Sequence, residues 1–203
     1  MSKGLVFVIS GPSGSGKGTV VELLRAIYPE AGVSVSATSR LPREGEKEGV
    51  NYYYKTREEF EALIEAGEVL EHTEYNGNYY GTLKSEVRRI TAEGKDVLLE
   101  IEVDGGGQVR RLLGDGCVTI MLIAPSAEEQ ERRLRGRGTE TEDVIAGRLA
   151  RAKAEIAQAV NYDYIVVNET GKADECAAEI MAIMKAEHRQ SSRMMEYIHE
   201  YFE

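Results

Sequence analysis

The run Gly11-Pro12-Ser13-Gly14-Ser15-Gly16-Lys17-Gly18-Thr19 carries the most specific chemistry in the sequence. Glycines at this spacing let backbone N–H groups turn inward around phosphate oxygens, and a helix opening at the lysine adds partial positive charge. Lys17 sets a full positive charge against terminal phosphates. Such a loop requires a buried strand before it and a helix after it. Leu5 to Ser10 reads as the strand, and Val20, Leu24 and Ile27 mark one face of a helix that stops near Pro29. The loop departs from the usual pattern at Gly18, where Ser or Thr normally follows the lysine. Thr19 comes next, so the pattern leaves open which hydroxyl meets Mg²⁺.

Arginines gather in two further places. Arg40 and Arg43 lie three apart on a segment that Pro42 keeps extended, and their guanidinium forks suit bidentate capture of a phosphate dianion. Arg132, Arg133, Arg135 and Arg137 crowd the end of one helix and a Gly136-Arg137-Gly138 loop, with Arg148 one helix later. The plain reading is a helix of mixed i,i+4 pairs, with Glu128, Glu129, Glu131 and Glu140 offsetting part of the charge. The functional reading is a lid whose glycines act as hinges and bring Arg137, Arg148 and Arg133 onto phosphates. A net charge of −10 argues against a broad nucleic-acid surface, so any affinity for phosphate must be local, as in these clusters.

The elements that must position these residues follow from periodicity. The length of 203 residues fits one domain with a core that needs neither disulfides nor a structural metal. Cys117 and Cys176 show no metal-ligand spacing, which favours a reducing, cytoplasmic setting. Leu5 to Ile9 is too short for a signal peptide, and no run reaches the length of a membrane span. Strands are expected at Val97 to Ile101, Val118 to Ile123 and Tyr164 to Val167. Helices are expected at Leu83 to Glu93, Val109 to Leu113, Ala127 to Arg135 and Glu142 to Val160, with capping boxes Ser126/Glu129 and Thr139/Glu142. This alternation implies an α/β fold with a mainly parallel sheet covered by helices. Residues 34–82 break the pattern and read as an inserted subdomain, with a helix over Thr56 to Ala66 and an Asn76-Gly77 hairpin turn. Glu187 to Glu203 is expected to extend a helix, with Met194, Ile198 and Tyr201 roughly on one face. That face is expected to dock on its own core rather than join two copies, although a homo-oligomer stays open.

Further runs carry a second signature: Ser34-Val35-Ser36-Ala37-Thr38-Ser39-Arg40-Leu41-Pro42-Arg43-Glu44-Gly45-Glu46, Asn51-Tyr52-Tyr53, Asn78-Tyr79-Tyr80-Gly81-Thr82 and Gly136-Arg137-Gly138-Thr139-Glu140-Thr141. With the phosphate loop, in this order and spacing, residues 4–183 strongly resemble guanylate kinase, one of the mononucleotide kinases that share Gly-Lys-Gly-Thr. The resemblance implies a P-loop mononucleotide-kinase fold. Its core would be 4–33, 83–125 and 160–183, with a GMP-binding subdomain at 34–82, a helical lid at 126–159 and a C-terminal helical extension at 184–203. It implies transfer of the γ-phosphoryl group of ATP to GMP with Mg²⁺. On the ATP side it implicates Gly11 to Thr19, Arg133 and Asn168, the last near adenine, with Lys17, Arg137 and Arg148 in catalysis. It places Arg40, Arg43, Tyr52 and Tyr80 on the acceptor phosphate, Glu71 and Glu102 on the guanine donors, and Ser36 and Thr82 near O6 and the ring. Glu46 falls within the same GMP-binding set. Glu100 resembles an acid that orients Mg²⁺ through water, and Thr19 is the hydroxyl taken for the metal.

The sequence departs from the family at Glu102, where Asp is commoner, and at Asp104, where an amide is commoner. The resemblance explains neither exchange. Two other readings compete. Related domains serve as non-catalytic binding modules, but these typically lose the loop lysine or the lid arginines, and Lys17, Arg137 and Arg148 are present. A kinase for a sugar phosphate would keep the loop and leave Glu71 and Thr82 without purpose.

Overall fold

The computed structural model describes residues 4–136 and 141–201. In chain order its elements are β1 (Val6–Ser10), α1 (Lys17–Ile27), β2 (Gly32–Val33), β3 (Ala37–Thr38), β4 (Tyr53–Tyr54), α2 (Arg57–Glu65), β5 (Val69–Tyr75), β6 (Asn78–Leu83) and α3 (Lys84–Ala92). There follow β7 (Val97–Glu100), α4 (Val103–Leu113), β8 (Cys117–Ile123), α5 (Ala127–Arg135), α6 (Glu142–Ile156), β9 (Tyr164–Val167), α7 (Ala173–Glu187) and α8 (Met195–Glu200). The chain divides into two compact units, Met1–Ser10 with Glu30–Thr119, and Gly11–Pro29 with Ile120–Glu203. Strand pairs β2–β7, β7–β1 and β8–β9 are all parallel, as the alternating pattern requires.

In the first unit β7 lies between β2 and β1, with Val6 opposite Val97 and Ile9 opposite Glu100. Every residue of β1 is buried, as expected of a parallel strand covered on both faces. Val6, Val8, Leu70, Val87, Val97, Leu99 and Val109 form one cluster. A second sheet has the order β4-β3-β6-β5. Its β5–β6 hairpin turns on Asn76 (φ 49°) and Gly77 (φ 72°), the left-handed pair that such a tight turn needs. Thr56 and Glu59 form a reciprocal capping box at the start of α2 that periodicity did not reveal. Phe60 of that helix is fully buried and stacks on Tyr79 at 5.2 Å between ring centroids.

Helix α4 starts at Val103, well before the expected Val109. Gly105-Gly106-Gly107 reads as a break, since glycine costs about 1 kcal/mol per helical position. Burying Val103 and Val109 completely overrides that cost.

In the second unit α1 packs on α7, and Val20, Leu24, Leu134, Val166, Ile180 and Met184 are buried. Ile27 is 51% exposed, and Val21 takes the buried place beside Val20 and Leu24. Helix α7 was not expected as such, although Cys176, Ile180 and Met184 recur at helical spacing and are buried. The Ser126 hydroxyl accepts from the Glu129 N–H, as the first capping box requires. Thr139 lies outside the described residues, and α6 has Thr141 as its N-cap, which removes Glu142 from the expected box position. That helix ends at Ile156 and passes into a 3-10 turn, Ala157–Asn161, rather than continuing to Val160.

The C-terminal segment differs from expectation. Helix α7 stops at Glu187 and the short α8 follows separately. Ile198 is 46% and Tyr201 73% exposed, so their face is not packed on the core. The stop is built on the Glu187 carboxylate, which is buried and accepts from Tyr164 Oη, Gln190 Nε2 (2.7 Å) and Arg193 Nη2 (3.2 Å). Among the described residues no helix is long and apolar enough to cross a membrane.

Candidate active site

The phosphate loop leaves the end of β1 and enters α1 at Lys17. Gly16 caps the helix at φ 85°, and α1 has no acidic residue in its first turn and no side-chain cap. Its first N–H groups therefore keep the character of an anion-binding helix N-terminus. Lys17 is half-buried at that turn, while Gly18 and Thr19 are exposed.

Three side chains of the second unit hold the loop from behind. Gln130 Nε2 donates to the Ser13 carbonyl at 2.7 Å, Asn168 Nδ2 to the Ser15 carbonyl at 2.9 Å, and Arg133 Nη1 to the same Ser15 carbonyl at 3.3 Å. Arg133 also donates through Nη2 to the Asn168 carbonyl at 2.8 Å and through Nε to Glu129 at 2.8 Å. A Cβ on Gly16 would lie 2.3 Å from Asn168 Nδ2, so the packing as well as the left-handed φ calls for glycine there. Arg133 and Asn168, both expected at ATP, thus fix the carbonyls of the loop, with Asn168 buried. Gln130 was missed. Its signal was visible, because it is the sole uncharged polar residue in a charge-rich helix and lies one turn before the buried Leu134.

The arginine cluster is compensated more fully than expected. Arg132 forks onto Glu129 through two 2.7 Å bonds, and Arg133 shares that carboxylate. Arg132 and Arg133 hold the Glu129 carboxyl well below the usual carboxylate range. Arg135 sits between Glu131 and Glu142. Arg148 is half-exposed on α6. Arg137 and Glu140 lie outside the described residues.

The first unit gathers the residues expected at the acceptor. Arg40 forks onto Glu46, Nη1 to Oε2 and Nη2 to Oε1, both at 2.9 Å. Glu46 also accepts from the Arg43 N–H at 2.7 Å and from Tyr54 Oη at 2.9 Å. The Arg40 fork holds the Glu46 carboxyl down at about 2. The guanidinium lies over the Tyr52 ring at 5.4 Å, and Tyr52 meets Tyr80 edge-on at 6.0 Å. Arg40, Tyr52 and Tyr80 therefore share one cluster, with the Arg43 backbone tied to it and its side chain exposed. Glu46 belongs there as the partner of Arg40. Tyr54, which the sequence did not single out, completes the carboxylate's shell.

Glu71 sits on β5 and is only 6% exposed. Thr82 Oγ1, on the paired strand β6, donates to Glu71 Oε1 at 2.7 Å. Burial pushes the Glu71 carboxyl above its ordinary value, against the opposing effect of the Thr82 bond. The adjacent His72 is clamped to α4, its N–H donating to Gln108 Oε1 (3.2 Å) and its carbonyl accepting from Gln108 Nε2 (3.0 Å). Ser36 is half-buried, and its carbonyl accepts from the Tyr53 N–H at 2.8 Å. Glu102 is the exposed N-cap of α4, and Glu100 is exposed at the end of β7.

A buried parallel strand, a glycine loop and a helix opening on lysine define a phosphate-loop nucleotide-binding protein. The family model described as guanylate kinase matches residues 3–187. A guanylate kinase of Shouchella clausii is 49% identical over 201 residues, covering 99% of this chain and 97% of that protein. One of Halalkalibacterium halodurans is 49% identical with the same coverage. The crystal structure of guanylate kinase from Anaplasma phagocytophilum superposes with a TM-score of 0.69 at 34% identity, covering 95% of this chain and 90% of that one. This chain belongs to the guanylate kinase family.

Proposed function

We propose that this chain transfers the γ-phosphoryl group of ATP to GMP, giving ADP and GDP. The observation that carries the choice of acceptor is the buried Glu71 carboxylate, held by Thr82 through one oxygen. Guanine presents N1–H and a 2-amino group as adjacent donors, and a desolvated carboxylate is their natural acceptor. A site built this way rejects a base lacking those donors, because its own polar group is then left unpaired.

In this reading Lys17 and the backbone N–H groups of Gly11 and of Ser13 to Thr19 hold the ATP phosphates, and Arg133, Asn168 and Gln130 keep the loop in shape. Arg40 and Arg43, with the hydroxyls of Tyr52 and Tyr80, hold the acceptor phosphate. Ser36 and Thr82 flank the ring, and Glu102 assists Glu71. The acceptor is already an anion, so the protein need not supply a general base. It must align donor and acceptor in line, exclude water and stabilise spreading negative charge. Arg137 and Arg148, on a lid spanning 126–159, serve the last two needs.

Thr19 would offer its hydroxyl to Mg²⁺, and Glu100 would orient the ion through water. Both residues are exposed and carry hard oxygens, which suits an ion that keeps most of its waters and is carried largely by nucleotide phosphates. When bound, the ion would neutralise part of the negative charge of the triphosphate. Cys117 and Cys176 are buried thiols, which agrees with a reducing, cytoplasmic setting. The test is coupled turnover with ATP and Mg²⁺ over a panel of GMP, AMP, UMP and dTMP. GMP is expected to exceed the others by a factor of about 100 or more. Preference for another monophosphate would reassign the acceptor, and binding of ATP and GMP without turnover would make the chain a binding module.

A further inference from the structure

We infer that Gly105 is a specificity-determining residue, whose missing side chain keeps the second oxygen of Glu71 directed at the base. The inference rests on the guanine reading of Glu71 given above.

The two oxygens of Glu71 have different surroundings. Oε1 accepts from Thr82 Oγ1 at 2.7 Å. Oε2 lies 2.8 Å from the point that a Cβ on Gly105 would occupy, with the carboxyl carbon at 3.5 Å and Cγ at 3.7 Å. Contact under about 3 Å between carbon and oxygen is repulsive. Thr82 therefore holds the carboxylate on one side, and the bare backbone of α4 leaves room on the other.

Gly105 is the first of three consecutive glycines that weaken its helix, which raises the question of why glycine stands there. The conformation of Gly105 is not the reason: it is helical, and it is not among the glycines with positive φ. Its neighbour Gly107 has no comparable constraint, since a Cβ there meets only the flexible end of Arg111, Nη1 at 3.4 Å. The geometry thus separates two glycines two residues apart on one helix. Adding a methyl group at either favours the helix. Only at Gly105 does it push on Glu71.

The group that must give way is the tip of a side chain rather than backbone. The fold can accommodate Gly105→Ala by turning the carboxylate, and that movement takes the acceptor away from its ligand. The cost therefore falls on recognition rather than on stability.

The experiment compares wild type, Gly105→Ala and Gly107→Ala by thermal melting and by steady-state kinetics with ATP, GMP and IMP, whose base keeps N1–H and lacks the 2-amino group. For Gly105→Ala the expected result is a melting temperature at or above wild type, an unchanged KM for ATP and a kcat/KM for GMP lower by roughly 10- to 100-fold, the range for one charge-assisted hydrogen bond. The preference for GMP over IMP is expected to shrink in the same variant. Gly107→Ala is expected to match wild type in kinetics. Wild-type values for Gly105→Ala with GMP, or equal loss from both variants, would overturn the role of Gly105. Failure of the wild-type protein itself to use GMP would instead overturn the functional reading beneath it.

Discussion

The side-chain amide of Asn168 donates to the carbonyl oxygen of Ser15 at 2.9 Å, joining residues 153 apart in sequence. The end of β9 thereby fixes the inner curve of the phosphate loop. Asn168→Ala leaves the Ser15 carbonyl only the longer bond from Arg133 at 3.3 Å. Loss of this buried bond is expected to cost about 1–2 kcal/mol, to lower the melting temperature and to raise KM for ATP roughly tenfold, with KM for GMP little changed. Separate titrations of the two substrates check the split.

Lys17→Met removes the full charge at the start of α1 and leaves the helix intact. A fall in kcat of about 100-fold or more is expected, since the lysine acts where charge spreads in the transition state. GMP binding measured by calorimetry should persist, which separates this loss from unfolding.

Arg40→Lys keeps a positive charge and loses the fork that grips Glu46. KM for GMP is expected to rise by roughly 10- to 100-fold while KM for ATP holds. A pH effect accompanies it. Arg40 holds the Glu46 carboxyl at about 2, below its ordinary 4.5. The stability from this pair is therefore present above 4.5 and is lost as pH falls through about 2. The lysine variant should lose less stability than wild type over that interval, as followed by denaturant melts.

Glu71→Gln preserves shape and the acceptor for Thr82, and removes a desolvated charge. Burial raises the Glu71 carboxyl above its ordinary 4.5. A raised carboxyl favours the folded state below 4.5 and loses that contribution as pH rises through its folded value. Relative to wild type, the glutamine variant should therefore melt a few degrees higher at pH 7, with the difference shrinking toward pH 4. Its kcat/KM for GMP should fall by about 100-fold. A variant both less stable and fully active at pH 7 would contradict this account.

Glu187→Ala strands the donors of Tyr164, Gln190 and Arg193 around a carboxylate that is 3% exposed. A destabilisation of about 2–4 kcal/mol is expected, together with earlier proteolysis after α7. Activity at low temperature should stay close to wild type, because no residue of that network belongs to the proposed site.

Several parts of the molecule were legible because their causes are local. The Asn76-Gly77 turn follows from two residues that tolerate positive φ. The limits of α5 follow from Ser126 as cap and from the glycine after Arg135. The Arg132–Glu129 pair joins residues three positions apart on one helix, whereas the Arg40–Glu46 fork was not read from the sequence. Errors arose where packing overrode propensity. Helix α4 runs through three glycines because its valines are buried, and the face of Ile198 and Tyr201 is exposed despite its periodicity.

Taken alone, the sequence determined the phosphate loop and the parallel α/β pattern. The tertiary structure alone decided that Glu71 is buried and bonded to Thr82, that Gln130 and Asn168 brace the loop, and that Gly105 lies beside the second oxygen of Glu71. Local order depends on each residue's own backbone preferences and near neighbours. A carboxylate's burial, and the room left beside it, depend on which distant strand or helix packs against it, and no spacing in the chain encodes that contact.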